Sequence, residues 1–257
     1  TLSSNSLMSP LSPYLFFVLF FFLLTALWWL SWRIGLLIQE IVYLITGSDD
    51  LAMVILFLIY LPGILIHETS HWLVARILGL KTSKFRVWPK YSRNTIGLGS
   101  VTVSSGGVVW DSLVGLAPLL IGSALIVLIG EQVFDTQTVA FAWRTGRLLD
   151  GLTFVADGLA HRPDSLLWSY LLFAIANAMM PSASDRAPLK SLGIYVFLIG
   201  AVFVLIDQSG RNVVLLLNFL LGPIQLLTGA FFLVTAIDLA IFLLLLAVRS
   251  LWLMTFK

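Results

Sequence analysis

Residues 51–80 read LAMVILFLIYLPGILIHETSHWLVARILGL. No charged side chain occurs before Glu68. As a helix at 1.5 Å per residue the stretch is about 45 Å long, more than the roughly 30 Å of a bilayer's hydrocarbon core. An apolar run of this length predicts a transmembrane helix. Its polar groups are concentrated at His67-Glu68-Thr69-Ser70-His71. Ionisable side chains are expensive in hydrocarbon and mark functional positions there. This one stretch therefore bears on both the fold and the site.

The rest of the chain agrees with a membrane solvent. Of 257 residues, 59% are hydrophobic and 11% charged, against about 25% charged in soluble domains. Too few charges are present to coat a water-facing surface. No basic block or low-complexity tail suggests a nucleic-acid partner. The chain has no cysteine, which excludes disulfides and thiolate metal sites. The first apolar stretch lacks a basic leading region and a small-residue cleavage site, so it reads as a retained span.

The expected fold is an all-α polytopic membrane protein with about six transmembrane helices and a small membrane-associated β element after the motif helix. The spans fall near 14–45, 51–80, 112–129, 165–180, 192–206 and 213–248. The first, interrupted by Arg33 and Glu40, is either one long tilted helix or a span followed by an interfacial helix. Asp50 is the expected N-cap of the second. The last stretch would reach about 54 Å as one helix, so a break is expected near Gly222-Pro223 or Gly229. Residues 95–103 are β-branched and glycine-rich, like a short strand or hairpin, and must lie at the interface or against helices. Residues 136–164 read as an interfacial or external helical segment.

Between Lys81 and Arg93 lie five basic residues and no acid. The positive-inside rule assigns that loop to the cytoplasm; its interleaved aromatics also suit anionic lipid. Glu131 and Asp135 then mark an outer edge after the third span.

The motif has a mechanical reading. Residues i and i+4 share a helix face, so His67 and His71 can aim imidazole nitrogens at one metal ion. Glu68 can reach a water at that ion as general base. Catalytic zinc takes three protein ligands and keeps one position open. Asp185 is the favoured third ligand, because the fourth span returns it to the cytoplasmic depth of the two histidines. His161, in the external segment, is the other candidate.

With these residues in place, the chain resembles the site-2 protease family of intramembrane zinc metalloproteases. That family carries His-Glu-x-x-His in an early transmembrane helix, followed by a membrane-associated β element. A Gly/Pro-containing span follows, matched here by Gly115-Leu116-Ala117-Pro118. A later helix bears Asn-x-x-Pro-x-x-x-x-Asp-Gly, matched here by residues 177–186. The Asn-to-Asp separation is the family's. Pro181 sits one place later, and Arg186 stands where the family has glycine, adding bulk and charge where a bare backbone is usual.

The resemblance implies zinc bound by His67, His71 and Asp185, with Glu68 activating water. It implies that Asn177 holds the substrate strand or stabilises the oxyanion; an interhelical hydrogen bond is the alternative. The strand at 96–103 would pair with an extended substrate.

The expected organisation is an N-terminal transmembrane or interfacial segment (1–50), a metalloprotease-like core (51–190) and C-terminal transmembrane helices (191–257). The expected function is cleavage of membrane-anchored proteins within or beside the bilayer, with the metal site toward the cytoplasm. The alternative is a protease-like fold serving as a structural or accessory subunit of a larger membrane complex. A transporter would need inverted repeats, and none is visible. Asn218, Gln225 and Asp238 in the last stretch suit a polar contact with another helix or subunit, or an ion path. Pro62-Gly63, one turn before His67, suggests a kink.

Overall fold

The computed structural model describes residues 15–82, 90–92, 95–97, 102–145, 147–180, 183–207 and 209–256. Within them the chain is almost entirely helical. In order, the elements are α1 (Leu15–Thr46), α2 (Asp49–Ile77), β1 (Lys90–Ser92), β2 (Thr95–Gly97), α3 (Val108–Phe134), α4 (Thr136–Arg144), α5 (Leu148–His161), α6 (Ser165–Ala178), α7 (Ala183–Ile206) and α8 (Arg211–Phe256).

Five of these helices, α1, α2, α3, α7 and α8, are long and apolar enough to cross a membrane. The expected fourth span is the shorter α6, with 14 residues, about 21 Å long. It ends at Ala178, with Met179 as its C-cap.

α1 is one continuous helix through Arg33 and Glu40. Its buried side chains Phe16, Leu23, Leu27, Leu30, Ile34, Leu37, Ile38 and Ile41 recur at helical spacing and form one stripe. α8 is its main partner, with Phe20 and Phe231 stacked at 5.7 Å. Arg249 Nε lies 2.7 Å from Glu40 Oε1, tying the two helices together.

α8 corrects one expectation. It runs 46 residues without a break, with Pro223 inside it. A proline removes one ladder hydrogen bond, and membrane helices tolerate that loss. The many remaining turns carry the helix through.

The start of α2 corrects a second. Ser48, not Asp50, is the N-cap: its backbone is extended and its Oγ accepts from Leu51 N at 3.3 Å. Asp49 and Asp50 occupy the first turn, where the helix dipole favours anions. The helix closes at Leu78 with Gly79 left-handed, at φ 74°. Gly79 N donates to Arg76 O and Leu80 N to Ala75 O, the paired bonds of a Schellman motif.

After α2 comes the hairpin. Lys90 pairs with Gly97, Tyr91 with Ile96 and Ser92 with Thr95, antiparallel, and an isolated bridge joins Thr82 to Val103. The expected strand at 96–103 is thus described at its two ends only; residues 98–101, like most of the basic loop and Pro181, lie outside the described residues. Residues 136–164 are helical, as expected, in α4 and α5.

Two glycines set the packing that matters for the site. A Cβ on Gly63 would collide with the main-chain carbonyl of Ala174 in α6. A Cβ on Gly115 would lie 2.7 Å from the main-chain oxygen of Asp185 in α7. Bare backbone is what lets α2 meet α6, and α3 meet the first turn of α7. Pro62 lies inside a continuous α2.

Candidate metal centre

His67 and His71 stand one turn apart on α2, with ring centroids 4.7 Å apart and planes at 81°. Their Nε2 atoms are 3.1 Å apart. Asp185, in the first turn of α7, completes the group: Oδ1 is 3.3 Å from His71 Nε2, and Oδ2 is 3.8 Å from His67 Nε2. Among the described residues this is the group of three His, Cys, Asp or Glu side chains able to hold a metal ion, its ligand atoms all within 4.8 Å. His67, His71 and Asp185, expected from the sequence to share one site, meet here.

The outer nitrogens decide the chemistry. His67 Nδ1 lies 2.7 Å from Ala178 O, and His71 Nδ1 lies 2.8 Å from Val114 O. A carbonyl only accepts, so each Nδ1 carries the hydrogen and donates it. A neutral ring held this way presents a bare Nε2 lone pair. Two lone pairs and a carboxylate then converge on one point, an arrangement that could hold a metal ion. Tetrahedral zinc with Zn–N near 2.0–2.1 Å sets nitrogens about 3.3–3.4 Å apart, close to the observed spacing. The outer hydrogen bonds also match the way metal-bound histidines are oriented. The donor set fits zinc.

His71 is buried and His67 and Asp185 are partly so. Glu68 is buried in the same turn of α2, 7% exposed. The acceptor for His67 is available because Ala178 ends α6, and the last carbonyls of a helix lack intrahelical donors.

Asn177 lies buried at the end of α6. Its Nδ2 donates to Phe173 O at 2.8 Å and to the Asp238 carboxylate at 3.2 and 3.3 Å. The amide thus makes the interhelical bond that was the alternative reading. Asn177 Oδ1 has no hydrogen-bond partner among the described residues, nor has the buried Tyr60 hydroxyl, which lies within electrostatic reach of Asp238. Asp238 is 1% exposed, so its midhelix carboxylate serves a contact between α8 and α6.

His161 does not join the centre. It is exposed and bonds within its own helix, with Nδ1 2.8 Å from Asp157 Oδ1. Arg186 is exposed at the start of α7.

Sequence reasoning missed the acceptors Val114 O and Ala178 O, because main-chain carbonyls leave no residue-type signature. It also missed Ser31, whose Oγ donates to Asn177 O at 3.3 Å, and Tyr60. Comparison with known proteins adds no relative: no family model matches the chain, and no curated protein or solved structure does.

Proposed function

We propose that this chain is an intramembrane zinc metalloendopeptidase of the site-2 protease kind, cleaving membrane-anchored proteins within or beside the bilayer. The observation that carries the reading is the convergence of His67 Nε2, His71 Nε2 and the Asp185 carboxylate beside the buried Glu68. His67, His71 and Asp185 hold the ion. Zinc, when bound, polarises the scissile carbonyl and acidifies water. Glu68 is the general base: it takes a proton from the attacking water and delivers it to the leaving amine nitrogen. The Nδ1–H bonds to Ala178 and Val114 keep both rings aimed while this happens.

The buried setting suits hydrolysis only if water and an unwound substrate reach it. The hairpin β1–β2 is the element we assign to substrate pairing, since an extended segment can add to a strand edge. On the charge asymmetry of residues 81–93, the centre faces the cytoplasm.

The test is Glu68→Gln in the full chain, assayed on a membrane-anchored substrate with zinc measured in parallel. Loss of cleavage with zinc retained supports the reading. Undiminished cleavage would remove Glu68 as the base.

A second reading has its own observation. From Ile194 to Ile206 every large apolar side chain of α7 is exposed, Phe197 at 74% and Leu205 at 77%. Lipid covers such a surface, and so does a partner subunit. If the chain is an accessory subunit of a larger membrane complex, it copurifies in fixed ratio with other chains, and His67→Ala leaves that complex assembled and working.

A further inference from the structure

In an α-helix each carbonyl normally accepts from the N–H four residues later. Proline has no N–H, and its ring crowds the carbonyl four residues before it. Pro118 lies inside α3, so the carbonyl four residues earlier, that of Val114, lacks its usual donor in the helix. That carbonyl is the one that accepts from His71 Nδ1, at 2.8 Å in a buried contact. The neighbouring Gly115 is where α3 meets the main chain of Asp185. One turn of α3 therefore touches two of the three ligand residues.

Asn177 O, among the last carbonyls of α6, accepts from Ser31 Oγ. Pro62 and Pro223 likewise deprive Leu58 and Phe219 of a donor, but no histidine answers there: His67 bonds to Ala178 O and His161 to Asp157.

We propose that Pro118 is a positioning residue of the metal centre. By withholding an N–H from Val114 O, it dedicates that carbonyl to His71 and so fixes the ring as the Nδ1–H tautomer with Nε2 bare. An N–H at position 118 would compete for the carbonyl and free the ring to turn or to change tautomer. The proposal rests on the metal-centre reading and adds the origin of one ligand's orientation.

The experiment measures zinc affinity of the full chain in detergent by competition with a chromophoric chelator. The d–d spectrum of the cobalt-loaded protein is read alongside. Pro118→Ala should weaken zinc about 10–100-fold, the usual loss when a ligand's outer partner is disturbed, and should shift the cobalt bands. Lactic acid at position 118 supplies an ester oxygen in place of the N–H, without the proline ring. It should bind zinc as the wild type does. Pro62→Ala and Pro223→Ala should leave affinity unchanged.

Unchanged affinity and spectrum in Pro118→Ala would overturn the proposal, as would equal loss in the alanine and lactate variants. If the alanine variant fails to fold, the lactate variant decides: wild-type affinity supports the missing N–H, and lost affinity overturns it. A wild type that binds neither zinc nor cobalt would instead sink the metal-centre reading itself, and Pro118's role with it.

Discussion

The side-chain amide of Asn177 bonds to the carboxylate of Asp238, at 3.2 and 3.3 Å from its two oxygens, in the buried seam between α6 and α8. Asn177 adjoins Ala178, whose carbonyl holds His67. The contact therefore anchors the end of α6 that orients a ligand.

Asn177→Ala and Asp238→Ala should each lower thermal stability in detergent, and the double variant should lose less than their sum. Helix–helix hydrogen bonds in membranes average about 0.6 kcal/mol, with values up to about 1.7 kcal/mol, and the coupling should fall in that range. Strict additivity would mean the two side chains do not support one another. If Asn177 also serves the substrate, its variant should lose more activity than Asp238→Ala at equal stability.

Gly63→Leu should destabilise the chain, because its first side-chain atom already meets the Ala174 carbonyl. Overpacking of this kind costs about 1–3 kcal/mol. Gly35→Ala is the control: nothing lies within 4 Å of its Cβ position, and a helical Ala for Gly exchange is favourable by up to about 1 kcal/mol. Thermal denaturation separates the two.

Gly115→Ala should act on the metal more than on the fold. The added methyl meets the main chain of Asp185 at 2.7 Å and displaces the first turn of α7. Zinc affinity should fall at least severalfold while helix content by circular dichroism stays at the wild-type level. Unchanged affinity would show that Asp185 is positioned by something else.

His161→Ala should leave metal content and activity at wild-type values. His161 is exposed and engaged with Asp157 one turn away, and exposed pairs of this kind contribute little. Zinc lost from this variant would point to a ligand set that includes it.

Apolar runs and motif spacing made much of the architecture legible. Residues 51–80 announced α2, because a bilayer-spanning helix is a matter of length and polarity. The spacing of His67 and His71 announced one shared face, and charge asymmetry pointed to Asp185. Other features were hidden for physical reasons. Pro223 looked like a break in α8, but one missing bond does not stop a long helix. Asp50 looked like the cap, yet Ser48, one residue beyond the Gly47 turn, takes that role. The acceptors for the two imidazoles are main-chain carbonyls, which every residue has. Only a proline four residues downstream marks Val114 O as available. The pairing of Asn177 with Asp238 depends on how α6 meets α8, which no local pattern records.

The central claim is that His67, His71 and Asp185 hold one zinc ion. It is tested most directly by the metal content of the purified full chain, measured by mass spectrometry for wild type and Asp185→Ala. The account predicts zinc equimolar with the wild-type chain and zinc largely lost in the variant. Metal-free wild type after purification in zinc-supplemented buffer, or zinc undiminished in Asp185→Ala, would contradict it.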